Sequence, residues 1–244
     1  MAKVSLISYT GQGTGDRLYA ARLLAYTKNT RMSLTPTGLA DFMTKPEAEI
    51  LAELKYMATS IPSSWEFADL TFSIEGISRA TAQQVTRTRA ASYAMQSQRV
   101  TNMSDVGWDN RGPYFDDKMR HAIGNYAEAV KSAGNSLEDA RDLLPIGVHC
   151  NLLAKYNFRI WVELVIARDS LRVQDAYRDI ISQMQKEVLD VWPWAEYFLE
   201  RRADISIRLI EEVAEKIAAL EKEKGAMYKG LSGQLAKAAD LLKK

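Results

Sequence analysis

Two long segments, residues 151–168 and 171–192, dominate the second half of this 244-residue chain. Both are rich in aliphatic and aromatic residues, and Trp192-Pro193-Trp194 interrupts the second segment. Segments of this length favour helices, so we expect two long helices and a helix-rich C-terminal half. A chain of this length can bury a core large enough to hold them.

The first half mixes short strands and helices, which predicts the α/β class. Strands are expected over residues 3–8 and 70–74, and helices over residues 16–28, 46–60, 79–86, 119–134 and 137–144. The glycine cluster at 11–15 is expected to form a plain turn, and residues 105–117 a loop. The charged tail beyond Arg201 predicts an amphipathic packing helix up to Gly225 and a short helix at 235–244.

Composition narrows the class of protein. A formal net charge of +1 argues against a dedicated nucleic-acid or membrane-surface binder. The first residues lack a signal-peptide core, and no run reaches the ~18 apolar residues of a membrane span, so we expect a cytoplasmic protein. One cysteine, Cys150, and two isolated histidines, His121 and His149, predict no metal site.

Residues 78–102 carry the clearest chemical signal. This stretch holds four arginines and no lysine, and no acid occurs from Ile77 to Ser104. Arginine suits two-pronged contact with phosphate or carboxylate, and the surrounding amides and hydroxyls can donate to the same oxygens. Residue types alone leave two interpretations open, namely an anion-binding site and a solvated, slightly basic helix followed by a loop.

The order of these residues resembles a known family. Arg87-Thr88-Arg89-Ala90-Ala91-Ser92, followed by Ser97-Gln98-Arg99, is similar to the signature of flavin-dependent thymidylate synthases (ThyX), in which Arg-His-Arg and Ser precede Ser-x-Arg. Residues 72–84 and 140–168 resemble the same family, and the resemblance spans roughly residues 60–195. It implies the family fold, a sheet with long helices, over residues 1–200, with 201–244 as an additional helical extension.

The resemblance also implies a pyrimidine nucleotide site. Ser97, Gln98 through its backbone, and Arg99 fall on the positions that hold the nucleotide phosphate, helped by Gln84. Arg168 falls on the arginine that contacts the pyrimidine ring, where it would stabilise negative charge on a ring carbonyl during catalysis. Gln84 and Arg87 are expected to project from one helix face.

The flavin positions match less closely. Those that fall on family contacts are Ser63, Arg87, Thr88, Arg89, Asn157 and Arg159. The central histidine of Arg-His-Arg is Thr88 here, and two further family histidines are replaced by Ile61 and Phe67. Val100 replaces the tyrosine that follows Ser-x-Arg, and Asn151 stands where an arginine is expected.

The activity implied is one-carbon transfer to C5 of dUMP, giving dTMP. The implied cofactors are FAD, methylenetetrahydrofolate and NADPH, and the implied assembly is a homotetramer with sites between subunits. Two alternatives stay open: C5 hydroxymethylation of dUMP or dCMP on the same scaffold, and a non-catalytic nucleotide- or nucleic-acid-binding relative.

Overall fold

The centre of the fold is a four-stranded antiparallel sheet with strand order β1-β2-β4-β3. A computed structural model describes residues 2–35, 37–132, 135–168, 173–200, 210–219 and 231–242. The strands of the sheet are β1 (Lys3–Tyr9), β2 (Asp69–Ser78), β3 (Ser92–Met95) and β4 (His149–Asn157). The combination of a sheet with helices confirms the α/β class expected from the sequence.

Buried and exposed residues alternate along β2 and β4, so that one face of the sheet lies against the core. Phe72 and Ile74 of β2, and Leu152 and Ala154 of β4, are almost fully buried, whereas the residues between them are more exposed. This period of two follows from the pleat of a strand. The sheet therefore has one core face and one more open face.

Helices cover the core face. The described helices are α1 (Tyr19–Met32), α2 (Leu39–Met43), α3 (Glu47–Ala58), α4 (Arg79–Val85), α5 (Pro113–Lys131), α6 (Leu137–Ala140), α7 (Phe158–Arg168), α8 (Asp175–Val191), α9 (residues 210–219) and α10 (Leu231–Leu242). Short 3-10 segments occupy Pro62–Phe67, Arg141–Leu143 and Pro193–Phe198. None of the helices within the described ranges is long and apolar enough to cross a membrane.

Helix α8 protects the outer edge of the sheet. Gln183 Oε1 accepts from the backbone N–H of Val4 at 3.1 Å, and Glu187 Oε2 accepts from that of Leu6 at 3.0 Å. These contacts satisfy backbone donors on the edge strand β1, which would otherwise be open to another strand. They also fix the position of α8, whose first turn lies at the candidate site.

The expected helix over residues 151–168 is wrong in its first half. Residues 149–157 form β4, and the helix begins only at Phe158. The side chain of Asn157 ends the strand and starts the helix, because its Oδ1 accepts from the N–H of Ile160 at 2.9 Å. Residues 150–156 alternate between buried and exposed positions, which is the period of two of a half-buried strand and not the spacing of a helix.

Other boundaries differ as well. Strand β3 was not expected, and the expected loop at 105–117 ends early because α5 begins at Pro113. The expected tail helices appear at 210–219 and Leu231–Leu242, and the remainder of 201–244 lies outside the described residues. The division into residues 1–200 and 201–244 therefore stays a prediction. The glycine cluster is a turn, as expected, with Gly11, Gly13 and Gly15 at positive φ.

Candidate active site

The Arg87-Thr88-Arg89 segment is a tight connection between α4 and β3. Helix α4 starts at Ser78, whose Oγ accepts from the N–H of Thr81, and it ends at Val85. Arg87 therefore lies beyond the helix, and the expectation that it shares a helix face with Gln84 is wrong. Both Arg87 and Arg89 are exposed and pair with no carboxylate in the part of the chain that the structure describes.

A tyrosine of β3 holds this segment in place. The Tyr93 hydroxyl donates to the carbonyl oxygens of Val85 and Thr88, each at 3.0 Å. Its ring meets that of the buried Tyr156 edge-on, at a centroid distance of 6.0 Å. Burial raises the pKa of Tyr93, so the phenol stays a neutral donor at physiological pH. The backbone around Thr88 is thus anchored to the sheet.

Arg168 reaches the same region from the end of α7. Its guanidinium carbon lies 5.3 Å from the ring centroid of Tyr177, in the first turn of α8. Burial raises the pKa of Tyr177, while the charge of Arg168 and polar contacts of the Tyr177 hydroxyl with Arg168 and Thr88 act in the opposite direction. The structure therefore brings Arg168 and Thr88 together around one buried ring.

Gln84 completes this group. Its Nε2 donates to Oε1 of Gln174 at 2.6 Å, and Gln174 is the residue that precedes α8. Gln84, Thr88 and Arg168 thus converge on the start of α8, although the sequence places them on three different elements. We call these three residues, together with Arg87 and Arg89, the α8-end cluster, after the N-terminal end of α8.

Ser97, Gln98 and Arg99 lie at the opposite end of β3. The four residues of β3 separate them from the Arg87–Arg89 segment by roughly 13 Å of strand. Arg99 forms a two-pronged pair with Glu138, with Nε to Oε1 at 2.7 Å and Nη2 to Oε2 at 3.1 Å. Arg141 approaches the same carboxylate at 3.9 Å. The Arg99 guanidinium thus offers a two-pronged site for an anion, and the Glu138 carboxylate occupies it.

The remaining contacts of this turn are local. Ser97 Oγ accepts from the N–H of Arg99 at 3.2 Å, which shapes the turn after β3. The side chain of Gln98 is buried, which agrees with the expectation that it acts through its backbone.

Asn157 and Arg159 are both engaged within the chain. The Asn157 amide oxygen caps α7, as described above. Arg159 donates to Glu66 at 2.7 Å and to Glu163 at 2.9 Å. Hydrogen bonds to Glu163 and Glu66 raise the pKa of Arg159 and stabilise its charged form. Two carboxylates therefore neutralise a guanidinium that was expected to contact a flavin.

Ser63 lies on the 3-10 segment Pro62–Phe67, away from the α8-end cluster. Its hydroxyl accepts from Nη1 of Arg31 at 3.1 Å. Beside it a groove of about 470 Å³ runs between this segment and α1, with Tyr26 and Phe67 among its lining residues. Phe67 and Ile61 are 61% and 71% exposed, so apolar surface replaces the two expected histidines.

Sequence reasoning missed several partners of the expected residues. They are Tyr93, Tyr156, Tyr177, Gln174, Glu138, Glu66 and Glu163. Only Glu163 had a usable signal, because it stands four residues after Arg159 on one helix. Tyr93 is close in sequence to its partners Val85 and Thr88 but has no recognisable pattern, and Gln174, Glu138 and Glu66 come from distant elements.

Comparison with known proteins identifies the family. The family model described as "Thymidylate synthase complementing protein" matches residues 5–194. The chain belongs to the flavin-dependent thymidylate synthase family. This confirms the resemblance that the Arg87–Arg99 motif indicates.

Two curated relatives carry the family name. The flavin-dependent thymidylate synthase of Geobacter sulfurreducens is 29% identical over 204 residues, covering 78% of this chain and 84% of its own length. That of Thermococcus onnurineus is 30% identical over 190 residues, covering 68% of this chain and 77% of its own. The similarity thus extends over most of each relative.

Two solved structures share the fold of this family member. Thymidylate synthase X from Helicobacter pylori, solved with FAD and dUMP, has a TM-score of 0.63 at 15% identity, covering 82% of this chain and 100% of that one. The UMP/dUMP methylase PolB from Streptomyces cacaoi, bound with 5-Br dUMP, has a TM-score of 0.64 at 16% identity, covering 81% and 94%. Both matches confirm the expected fold.

Proposed function

We propose that this chain methylates C5 of dUMP to give dTMP, as its family membership suggests. Methylenetetrahydrofolate would supply the carbon, and NADPH the hydride that reduces it. One structural observation supports this reaction. The guanidinium of Arg168, without a carboxylate partner among the described residues, contacts Tyr177, which Thr88 of the Arg87–Arg89 segment also contacts. A free cation at this place is suited to stabilise charge on a bound ring.

In this proposal Arg99 and Ser97 hold the nucleotide phosphate. The Arg99 fork already binds a planar anionic group, the Glu138 carboxylate, so its geometry suits a phosphate that displaces that side chain. The backbone of Gln98 and the amide of Gln84 would add neutral donors.

The Arg87–Arg89 side of the proposed flavin site fits an anionic cofactor. Two exposed guanidinium groups, two residues apart, suit the pyrophosphate of FAD. Asn157 and Arg159 fit less well, since both are committed to contacts within the chain. When bound, FAD carries reducing equivalents between NADPH and the transferred carbon.

The role of Arg168 is electrostatic. As C5 attacks the one-carbon unit, negative charge builds on a ring carbonyl, and a preorganised guanidinium lowers the energy of that state. A cysteine nucleophile has no place in this scheme. Cys150, the one cysteine, is 2% exposed, and burial raises the pKa of its thiol despite the charge of Arg79.

Assembly would unite the two halves of the site. Arg99 and the α8-end cluster lie at opposite ends of β3 within one chain. We propose a homotetramer in which Arg99 of one subunit faces Arg168 of another. Light scattering of the purified protein measures this directly.

The test of the function is the product formed from dUMP when FAD, methylenetetrahydrofolate and NADPH are supplied. Mass spectrometry should detect dTMP. Ile61, Phe67 and Thr88 stand in place of family histidines, and this favours hydroxymethylation as the second candidate. Its product carries one additional oxygen atom, so the same spectrum separates the two. The absence of either product from dUMP and from dCMP would refute both.

A further inference from the structure

Arg168 differs from three other arginines near the site, whose side chains pair with carboxylates. These pairs are Arg99 with Glu138, Arg159 with Glu66 and Glu163, and Arg178 with Asp175. Each of these guanidinium groups is partly neutralised. Arg168 has no such pair within the described ranges, and its Nε is buried without a hydrogen-bond partner.

An aromatic face takes the place of the carboxylate. The Arg168 guanidinium carbon lies 5.3 Å from the centroid of the Tyr177 ring. A ring face attracts a cation through its quadrupole and leaves the positive charge free to act on a ligand. A carboxylate in the same position would hold the side chain equally well but would cancel the charge.

Tyr177 is itself fixed in place. It is 1% exposed and belongs to the first turn of α8, which the contacts of Gln183 and Glu187 with β1 position. The Thr88 hydroxyl and the Arg168 charge lie close enough to act on the pKa of its phenol. The ring is therefore a rigid support that connects the end of α7 to the Arg87-Thr88-Arg89 segment.

We propose that Tyr177 is the positioning residue of Arg168, whose guanidinium it holds at the reacting ring without neutralising it. The inference rests on the proposed function, because it assigns the support for the charge that the reaction needs. The hydroxyl group also makes polar contacts with Arg168 and Thr88, and we assign the positioning of Arg168 to the ring face. The ring face alone should be sufficient.

Kinetics of three variants test the proposal. Tyr177→Met keeps a large apolar side chain but removes the ring, so it should lower kcat for dUMP about 10- to 100-fold with little change in KM. Tyr177→Phe keeps the ring and should stay within about threefold of the wild type. Phe42→Met is the matched control. It removes a buried ring of α2 that also carries a cation, with Lys45 Nζ 4.8 Å from the ring centroid, and it should cost much less kcat than Tyr177→Met.

A double-mutant cycle with Arg168→Ala separates positioning from general packing. The Tyr177→Met change should add almost nothing once Arg168 is absent, since both changes remove the same interaction. Additive losses would overturn the proposal, as would an unchanged kcat in Tyr177→Met or an equal loss in Phe42→Met.

Crystal structures give a readout that does not depend on turnover. The Arg168 guanidinium should lie on the ring in the wild type and in Tyr177→Phe, and should be displaced or unordered in Tyr177→Met. If it stays in place without the ring, the inference is wrong. A wild type that converts neither dUMP nor dCMP would refute the proposed function, and these structures would still decide whether Tyr177 holds Arg168.

Discussion

The guanidinium of Arg168 rests on the ring of Tyr177, 5.3 Å from its centroid, although the two residues belong to different helices. Arg168 ends α7, where the negative end of the helix dipole also favours a cation. This contact gives the candidate site an arginine that is fixed and yet carries its full charge. The predictions below follow from this difference between neutralised and free arginines.

Arg168→Ala should lower kcat for dUMP by about two to three orders of magnitude, the usual cost of removing one donor to developing negative charge. KM should change much less, because the phosphate contacts remain. Steady-state kinetics at varied dUMP concentration measure both constants. Arg178→Ala is the control on the neighbouring helix, since Arg178 pairs with Asp175, and it should keep near-normal turnover. An increase in KM with kcat unchanged would mean that Arg168 serves substrate binding and not catalysis.

Arg99→Ala and Glu138→Gln should move nucleotide affinity in opposite directions. Losing Arg99 removes charge-assisted hydrogen bonds to phosphate, each worth about 1.5–3 kcal/mol, so Kd for dUMP should rise at least tenfold. Glu138→Gln removes the anion that now fills the Arg99 fork, so Kd should fall by about two- to fivefold. Isothermal titration calorimetry measures both values. A higher Kd in Glu138→Gln would mean that this carboxylate orients Arg99 for the phosphate.

Glu163→Gln should tighten FAD binding. The substitution removes one of the two carboxylates that neutralise Arg159, and so makes its charge available to a flavin phosphate. An exposed pair of this kind contributes about 0–1 kcal/mol to stability, so the fold should be unaffected. Fluorescence titration of FAD gives the affinity. Asp175→Asn, which frees Arg178 instead, is the control, and an equal gain there would rule out a specific role for Arg159.

Asn157→Ala should lower the free energy of unfolding by about 1 kcal/mol, because the N–H of Ile160 loses its capping acceptor. Asn157→Ser keeps a capping oxygen and should recover most of that loss. Urea unfolding followed by circular dichroism measures the difference. If both variants lose FAD binding while stability is unchanged, the side chain serves the cofactor and not the helix.

Stability should decrease at alkaline pH. Burial raises the pKa of Tyr93, Tyr156 and Tyr177 above the ordinary value of 10.0. Below that value these phenols are neutral in both states, whereas above it the unfolded chain ionises first and stability falls by up to about 1.4 kcal/mol per pH unit and residue. Urea unfolding from about pH 9 to about pH 11 should show a shallower decline in Tyr156→Phe than in the wild type. Tyr114→Phe, at a 79% exposed position, should match the wild type.

The sequence determined the family, the fold class and the residues that carry charge. Local signals were sufficient for these, because helix caps such as Ser78 and Ser136 act within a few residues, and the order of arginines in Arg87–Arg99 is a property of the chain itself. Only the tertiary structure decided that β4 pairs with β2 on one side and with β3 on the other, because strand pairing joins residues that are remote in the sequence. It also decided which arginines pair with a carboxylate and which do not. Glu138 and Glu66 reach Arg99 and Arg159 from 39 and 93 residues away, and a contact of that kind has no periodicity to reveal it. The ring of Tyr177 meets Arg168 because α7 packs against α8, which is also a property of the tertiary structure.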